Sequence, residues 1–174
     1  MTTADISLWD TKKTSKRLDL DMDEEPRVVQ IAGSEPAKMA LAAKLVADRG
    51  AQIIDINMGC PVKNVVKNGA CSALIGTPEL AKEIVLATKE GSKIPVSVKT
   101  RTGIREHITE QWMETLISVD PAALTLHGRT QKMQSEKPAD WDEIAKAVAI
   151  KNHLSPEIPF YGNGDVFTFQ QGLD

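Results

Sequence analysis

The chain is short of cysteine: Cys60 and Cys71 are its only two in 174 residues. Two cysteines make no disulfide framework. Neither stands with a second Cys or His pair at zinc spacing, which argues against a structural metal. Long hydrophobic runs are missing as well. No apolar stretch approaches the roughly 20 residues of a membrane span, and the N-terminus, MTTADISLWDTKKTSKRLDLDMDEEP, lacks the apolar segment of a secretory signal. These absences lead us to expect a cytoplasmic protein. Excess positive charge is lacking too. A formal net charge of -3 argues against a generally basic nucleic-acid binder, although a local basic surface depends on where the charges sit. Lys12, Lys13, Lys16 and Arg17 make one basic cluster, and Arg101, Arg105, Arg129 and Lys132 follow candidate strands. The plainer reading of such clusters is a solvated face.

What remains is an ordinary globular composition, 41% apolar and 26% charged, in a chain long enough for one domain with a real core. Residues 1–25 are polar and show no clear element. From Val28 onward, strand-like and helix-like segments alternate. Val28–Ala32 reads as a strand. Ser34 is placed to cap a helix from about Glu35 to Arg49, with Pro36 in its first turn; Met39, Ala42, Ala43 and Val46 share a face, and Gly50 stops it. Ile53–Asn57 is the next strand. Thr77 and Pro78 open a helix with Leu80, Ile84 and Ala87 as its apolar stripe and Gly91 at its end. Pro95–Thr100 is a strand, and Thr109–Val119 a helix with Trp112, Leu116 and Val119 on one face. Ala123–His127 is a strand, Asp140–Ile150 a helix with Ile144 and Val148 inward, and Pro159–Tyr161 begins a fifth strand.

Such alternation implies a parallel sheet with right-handed crossovers. An open doubly wound sheet and part of a (β/α)8 barrel both fit. A complete barrel takes about 250 residues and eight strands, so in the barrel reading the chain is incomplete.

Polar side chains collect where strands end. Ile53–Ile56 runs into Asn57 and Gly59-Cys60-Pro61, Val96–Val98 into Lys99 and Arg101, Leu124–Leu126 into His127 and Arg129, and Pro159–Tyr161 into Asn163 and Asp165. Loops at that end build the active site in parallel α/β folds, and in a barrel these residues converge on one pocket. The plainer alternative is strand-end solvation or capping. Lys99 offers a fixed positive charge to an electron-rich ring. Gln30, inside its strand, offers a donor and an acceptor. His127 reads either as a donor or as a satisfied core imidazole. Gly164, within the turn Asn163-Gly164-Asp165, allows close backbone approach to a phosphate or ribose. Cys60 lies between Gly59 and Pro61 in an abrupt turn that exposes its thiol, which can serve as nucleophile or general acid depending on its pKa. A small buried apolar role is the alternative, and it suits Cys71 better.

Taken together these residues resemble the tRNA-dihydrouridine synthase family, most closely its bacterial members. The strongest block is Asp55-Ile56-Asn57-Met58-Gly59-Cys60-Pro61, followed by Gly69-Ala70 and Ala73-Leu74. Val29–Ser34, Val98–Gly103, Leu126–Thr130 and Gly162–Asp165 match further family motifs in order. The resemblance implies a partial (β/α)8 TIM barrel with about five to six of the eight βα units present, residues 1–174 forming part of an FMN-binding catalytic domain. It implies that NADPH reduces FMN and that hydride passes to carbon 6 of a tRNA uridine while Cys60 protonates carbon 5. Gln30, Lys99, His127, Asn163, Gly164 and Asp165 match cofactor contacts; Asn57 and Arg101 match positions facing the substrate. No metal is implied.

Several family features have no counterpart here: the Ala-Pro-Met motif of the first strand, the Gly-Arg phosphate turn of the last strands and the C-terminal helical tRNA-binding domain. Open sheet edges and weak or absent turnover by the chain itself are the corresponding expectations. Two other readings stay open: an inactive fragment or interaction module derived from such an enzyme, and another FMN-dependent barrel oxidoreductase acting on a free pyrimidine.

Overall fold

A computed structural model describes residues 2–5, 20–21 and 23–173. The basic cluster of Lys12, Lys13, Lys16 and Arg17 lies outside the described residues. The elements run β1 (Thr2–Thr3), β2 (Val28–Ala32), α1 (Pro36–Asp48), β3 (Ile53–Met58), α2 (Lys63–Lys67), a 3-10 turn (Cys71–Gly76), α3 (Pro78–Ser92), β4 (Val96–Arg101), α4 (Thr109–Ile117), β5 (Ala123–His127), α5 (Trp141–Leu154), β6 (Phe160–Asn163) and α6 (Phe169–Leu173). No helix among the described residues is long and apolar enough to cross a membrane.

All six strands are parallel and stand in sequence order, each paired only with its chain neighbours. A doubly wound sheet reverses its strand order at a switch point; this one never reverses. Right-handed crossovers, the rule for parallel neighbours, would put the connecting helices on one face, which is the winding of a (β/α)8 barrel. The sheet is not closed, and among the described residues β1 and β6 are its edges. The fold is therefore α/β, a partial TIM barrel. β1 is the strand that the sequence concealed. It is two threonines long and pairs Thr2 with Ile31 and Thr3 with Ala32, too short for any periodicity to show.

Period-2 alternation sorts the strands into two faces. Ile31, Ile54, Ile56, Met58, Val98 and Leu126 point to the helices and are fully buried. Against them α1 buries Met39, Ala42, Ala43 and Val46, the expected face. α3 buries Ala81, Ile84, Val85 and Thr88, a stripe rotated from the expected one: Leu80 and Ala87 are only partly buried. Trp112 of α4 is buried, and its Nε1 donates to Thr100 Oγ1 at 3.0 Å.

Helix ends depart from expectation in instructive ways. Ser34 does not cap α1. The N-cap is Glu35, without a side-chain bond, and Ser34 Oγ donates instead to the Asn68 carbonyl at 2.8 Å. Thr77 occupies the N-cap of α3 but makes no capping bond. Asp140 stands one residue before α5 and accepts from the Glu143 N–H at 3.1 Å, and α5 continues past Ile150 to Leu154. Gly91 does not end α3, which runs on to Ser92 and a left-handed Lys93 (φ 56°). A Cβ at Gly91 would stand 2.3 Å from the Ala40 carbonyl oxygen. At this glycine the backbones of α1 and α3 pack directly on one another.

Candidate active site

The other face of the sheet is polar, and strand register stacks it in rows. Gln30, Asp55 and Ser97 are register partners in one row; Asn57, Lys99 and Thr125 form the next; Arg101, His127 and Asn163 form the third. Paired residues of parallel strands share a face, so residues 25 to 42 positions apart in the chain stand side by side here for a topological reason.

Hydrogen bonds join the rows. Gln30 Nε2 donates to Asp55 Oδ2 at 2.7 Å, and Ser97 Oγ donates to Asp55 Oδ1 at 2.7 Å. Asn57 Nδ2 donates to Gln30 Oε1 at 3.0 Å. That bond turns Asn57 Oδ1 toward the next turn of chain, where it accepts from the N–H groups of Gly59 (3.0 Å) and Cys60 (2.9 Å). The Gly59-Cys60 turn is thus held by the strand that precedes it. Its far side is held by Ser72, whose Oγ donates to the Cys60 carbonyl at 2.6 Å, and Ser72 in turn accepts from Gln131 Nε2 at 2.8 Å.

Cys60 is half-buried and free. It lines a cavity of about 180 Å³ together with Asn57, Pro61, Lys99, Arg101 and His127. A larger cavity, about 510 Å³, opens beside β1 and β2, near Asp5, Ser34, Lys38 and Asn68. Its lysine is already paired with Glu35 at 2.6 Å, and none of the converging strand-end residues faces it. The smaller cavity holds the chemistry.

Burial dominates the electrostatics. It pushes the Asp55 carboxyl up, against the bonds from Gln30 and Ser97 and the attraction of Lys99. It pulls the Lys99 amine down, with Asp55 opposing and Arg101 adding to the shift. Lys99 Nζ donates to Asn163 Oδ1 at 3.0 Å. His127 is brought down to about 4, first by burial and then by Arg101, Lys99 and Arg129. Its Nε2 lies 3.0 Å from Arg129 Nη1. A guanidinium has only donors, so Nε2 accepts and the neutral ring carries its proton on Nδ1.

Arg129 is buried, and its Nη2 donates to both carboxylate oxygens of Asp165, at 2.6 and 2.7 Å. Asp165 Oδ2 also accepts the Ala139 N–H at 2.7 Å. Between Asn163 and Asp165, Gly164 has φ 129°, and a Cβ there would press on the His127 ring at 2.9 Å. Arg101 is buried as well. Its Nε donates to the Gly59 carbonyl at 2.8 Å, and its Nη1 to the carbonyls of Thr130 and Gln134 at 3.1 and 3.0 Å. Arg101 and Arg129 are therefore fixed inside the site, unlike the exposed Arg105 and Lys132. Cys71 is buried, and its thiol is pushed up to about 12, mainly by burial, in keeping with the inert role the sequence suggested.

Eight of the nine residues singled out from the sequence lie in the C-terminal halves of strands or the turns after them, and Gln30 lies in the middle of β2. Asn57, Cys60, Lys99, Arg101 and His127 share one cavity; Gln30 joins through Asn57, Asn163 through Lys99, and Gly164 and Asp165 through His127 and Arg129. The sequence did not single out Asp55, Ser97, Ser72 or Gln131 as partners. Asp55 was findable: two residues before Asn57 in a strand, it must share that face. Ser72 and Gln131 gave no such signal, since their meeting depends on two loops.

A family model described as dihydrouridine synthase (Dus) matches residues 1–174. The tRNA-dihydrouridine synthase B of Pseudomonas aeruginosa is 41% identical over 170 residues, covering 95% of this chain and 49% of its own. That of Shewanella oneidensis is 40% identical over 168 residues, 95% of this chain and 51% of its own. The probable tRNA-dihydrouridine synthase of Staphylococcus epidermidis is 40% identical over 160 residues, 91% of this chain and 48% of its own. The chain spans about half the length of the curated relatives it matches.

Proposed function

Since the chain belongs to the dihydrouridine synthase family, we propose that it carries the catalytic face of an oxidoreductase that converts a uridine of tRNA to 5,6-dihydrouridine in the cytoplasm. Residues 1–174 are then part of a barrel domain that holds FMN, with NADPH as the source of electrons. The carrying observation is the cavity in which the half-buried Cys60 thiol meets Asn57, Lys99, Arg101 and His127.

The polar face suits a flavin. Lys99 is a desolvated amine with one fixed acceptor, Asn163, and an electron-rich ring edge would give it a second. Gln30, Lys99 and His127 would hold that ring; Asn163, Gly164 and Asp165 would approach the ribityl-phosphate. FMN, when bound there, would supply the hydride chemistry for carbon 6 of the uracil ring.

The remaining work falls to the chain. Cys60 Sγ holds the proton that goes to carbon 5. Asn57 fixes that thiol by accepting the Gly59 and Cys60 N–H groups. Neutral His127 keeps its Nδ1 proton as a donor. Arg101 clamps the Gly59 carbonyl from the cavity wall and presents its cation to the substrate base. The Arg129–Asp165 pair holds the Asn163-Gly164-Asp165 turn in place.

The test begins with visible absorbance of the purified chain with added FMN. A bound-flavin band is expected, and Lys99→Ala is expected to weaken uptake. On tRNA lacking dihydrouridine, with NADPH, Cys60→Ala should lower product by about 100-fold or more while FMN uptake stays unchanged. A chain that never takes up FMN, or a Cys60→Ala variant as active as the parent, sinks this reading.

A further inference from the structure

We propose that the rim beside Cys60 is a binding site for the phosphodiester backbone of RNA, formed by Lys63, Arg105 and Lys132. This rests on the reading of the chain as acting on a nucleotide of RNA. A second cavity, about 400 Å³, adjoins the one that contains Cys60: Pro61 lines both. Its three charged walls are Lys63 at the start of α2, Arg105 in the β4–α4 loop and Lys132 in the β5–α5 loop. No carboxylate lines it. On a chain of net charge -3, three cations around one recess are a local arrangement, not a reflection of overall charge.

These cations also differ from four surface lysines elsewhere on the chain, although Lys67, Lys93 and Lys137 are likewise exposed and outside any ion pair among the described residues. Lys38, Lys44, Lys82 and Lys146 each pair with a carboxylate on their own helix, at 2.6 to 3.0 Å. Lys63, Arg105 and Lys132 are exposed, and among the described residues none forms an ion pair.

Their backbones are nevertheless fixed. The Lys132 N–H donates to the Ile104 carbonyl at 2.9 Å, and the Gln131 N–H to the Gly103 carbonyl at 2.8 Å. These bonds join the loop of Lys132 to the loop of Arg105. Arg101 ties the same loop to Gly59 through the Gln134 carbonyl, and Gln131 ties it to Cys60 through Ser72. The cations are thus exposed heads on a frame built around the Cys60 turn.

A phosphodiester oxygen accepts hydrogen bonds and carries charge, and Lys and Arg are its usual partners. A nucleotide whose base enters the Cys60 cavity places its flanking phosphates over the adjoining one. The three loops would then hold the backbone while Asn57, Arg101 and Cys60 meet the base.

The experiment is fluorescence-anisotropy binding of labelled tRNA lacking dihydrouridine to the full chain across a series of salt concentrations. The Lys63→Ala/Arg105→Ala/Lys132→Ala variant should reduce the slope of log K against log salt by about 2 to 3, and weaken binding by roughly a hundredfold at 0.1 M salt. Lys63→Arg/Arg105→Lys/Lys132→Arg should keep the parent slope. Lys44→Ala/Lys82→Ala/Lys146→Ala, on the helix side, should keep it too. An unchanged slope in the triple alanine variant, or no binding by the parent chain, overturns the proposal. Dihydrouridine formation is read separately. A chain that binds RNA through these cations yet forms no product keeps this site and loses the reaction assigned to Cys60.

Discussion

Arg129 grips Asp165 with one nitrogen shared between both carboxylate oxygens, and its other terminal nitrogen rests on His127. One buried cation therefore positions both the turn after β6 and the imidazole of β5. The two ends of the pair are unequal, because Arg129 is nearly inaccessible while the Asp165 side chain is 30% exposed. Asp165→Ala leaves a buried guanidinium without its carboxylate, whereas Arg129→Met leaves a carboxylate that water can reach. We expect Asp165→Ala to lower the urea midpoint more than Arg129→Met, at unchanged m value. The reverse order would mean that the contacts of Arg129 to His127 and to the Lys137 carbonyl matter more than the ion pair.

His127 gives a pH signature. Its folded value, about 4, lies below its ordinary 6.5. The unfolded chain takes up that proton first as pH falls, so its contribution to stability is complete above 6.5 and lost between 6.5 and about 4. Asp165, also held low, by the Ala139 N–H and then Arg129, adds a loss in more acid solution. Asp55, pushed up, acts in the opposite direction above its ordinary 3.8. NMR titration of the His127 ring should give a midpoint near 4, and His127→Gln should flatten the stability decline between pH 6.5 and 5. A midpoint near 6.5 would contradict the acceptor role of Nε2.

The two cysteines should differ chemically. Cys60 is half-buried in the cavity mouth, whereas Cys71 is buried with its thiol pushed up to about 12. Thiolate is the reactive form. Iodoacetamide under native conditions should add one equivalent, located at Cys60 by peptide mass, and Cys60→Ala should abolish it. Labelling of Cys71 in the folded chain would show that the 3-10 turn opens.

Gly91→Ala tests the contact of α1 with α3. Helix propensity favours alanine by about 1 kcal/mol, but the added methyl would meet the Ala40 carbonyl at 2.3 Å. Overpacking of this kind costs about 1–3 kcal/mol, sometimes more. Net destabilisation is expected in chemical denaturation, and a stabilised variant would mean that the helices separate freely.

That glycine also marks where the sequence stops being legible. Val28–Ala32 and Ala123–His127 were readable to the residue because alternation and β-branched side chains record one strand face. The site was readable for the same reason: polar residues at several strand ends have one place to converge in a parallel sheet. Gly91 and Ser34 were misread because local propensity assigns a glycine to a helix end and a serine to a helix start. Their actual partners, Ala40 and Asn68, belong to other elements. Thr2–Thr3 escaped because its pairing with Ile31 and Ala32 is its only strand character. Asp55 and Ser97 became a network only once register placed them side by side.

The unbroken order of the strands has a consequence for how the chain acquires its structure. Among the six described strands, none pairs with a partner that lies more than one connection away in the chain. Each of β2 to β6 pairs with the strand before it, and each of β3 to β6 does so across a helical connection. Sequence separation between pairing partners stays at one βα unit, which keeps the entropic cost of each closure small. The sheet can therefore assemble in the direction of translation, and amide exchange should be slowest in β3 and β4, which lie furthest from either edge, and fastest at β1 and β6.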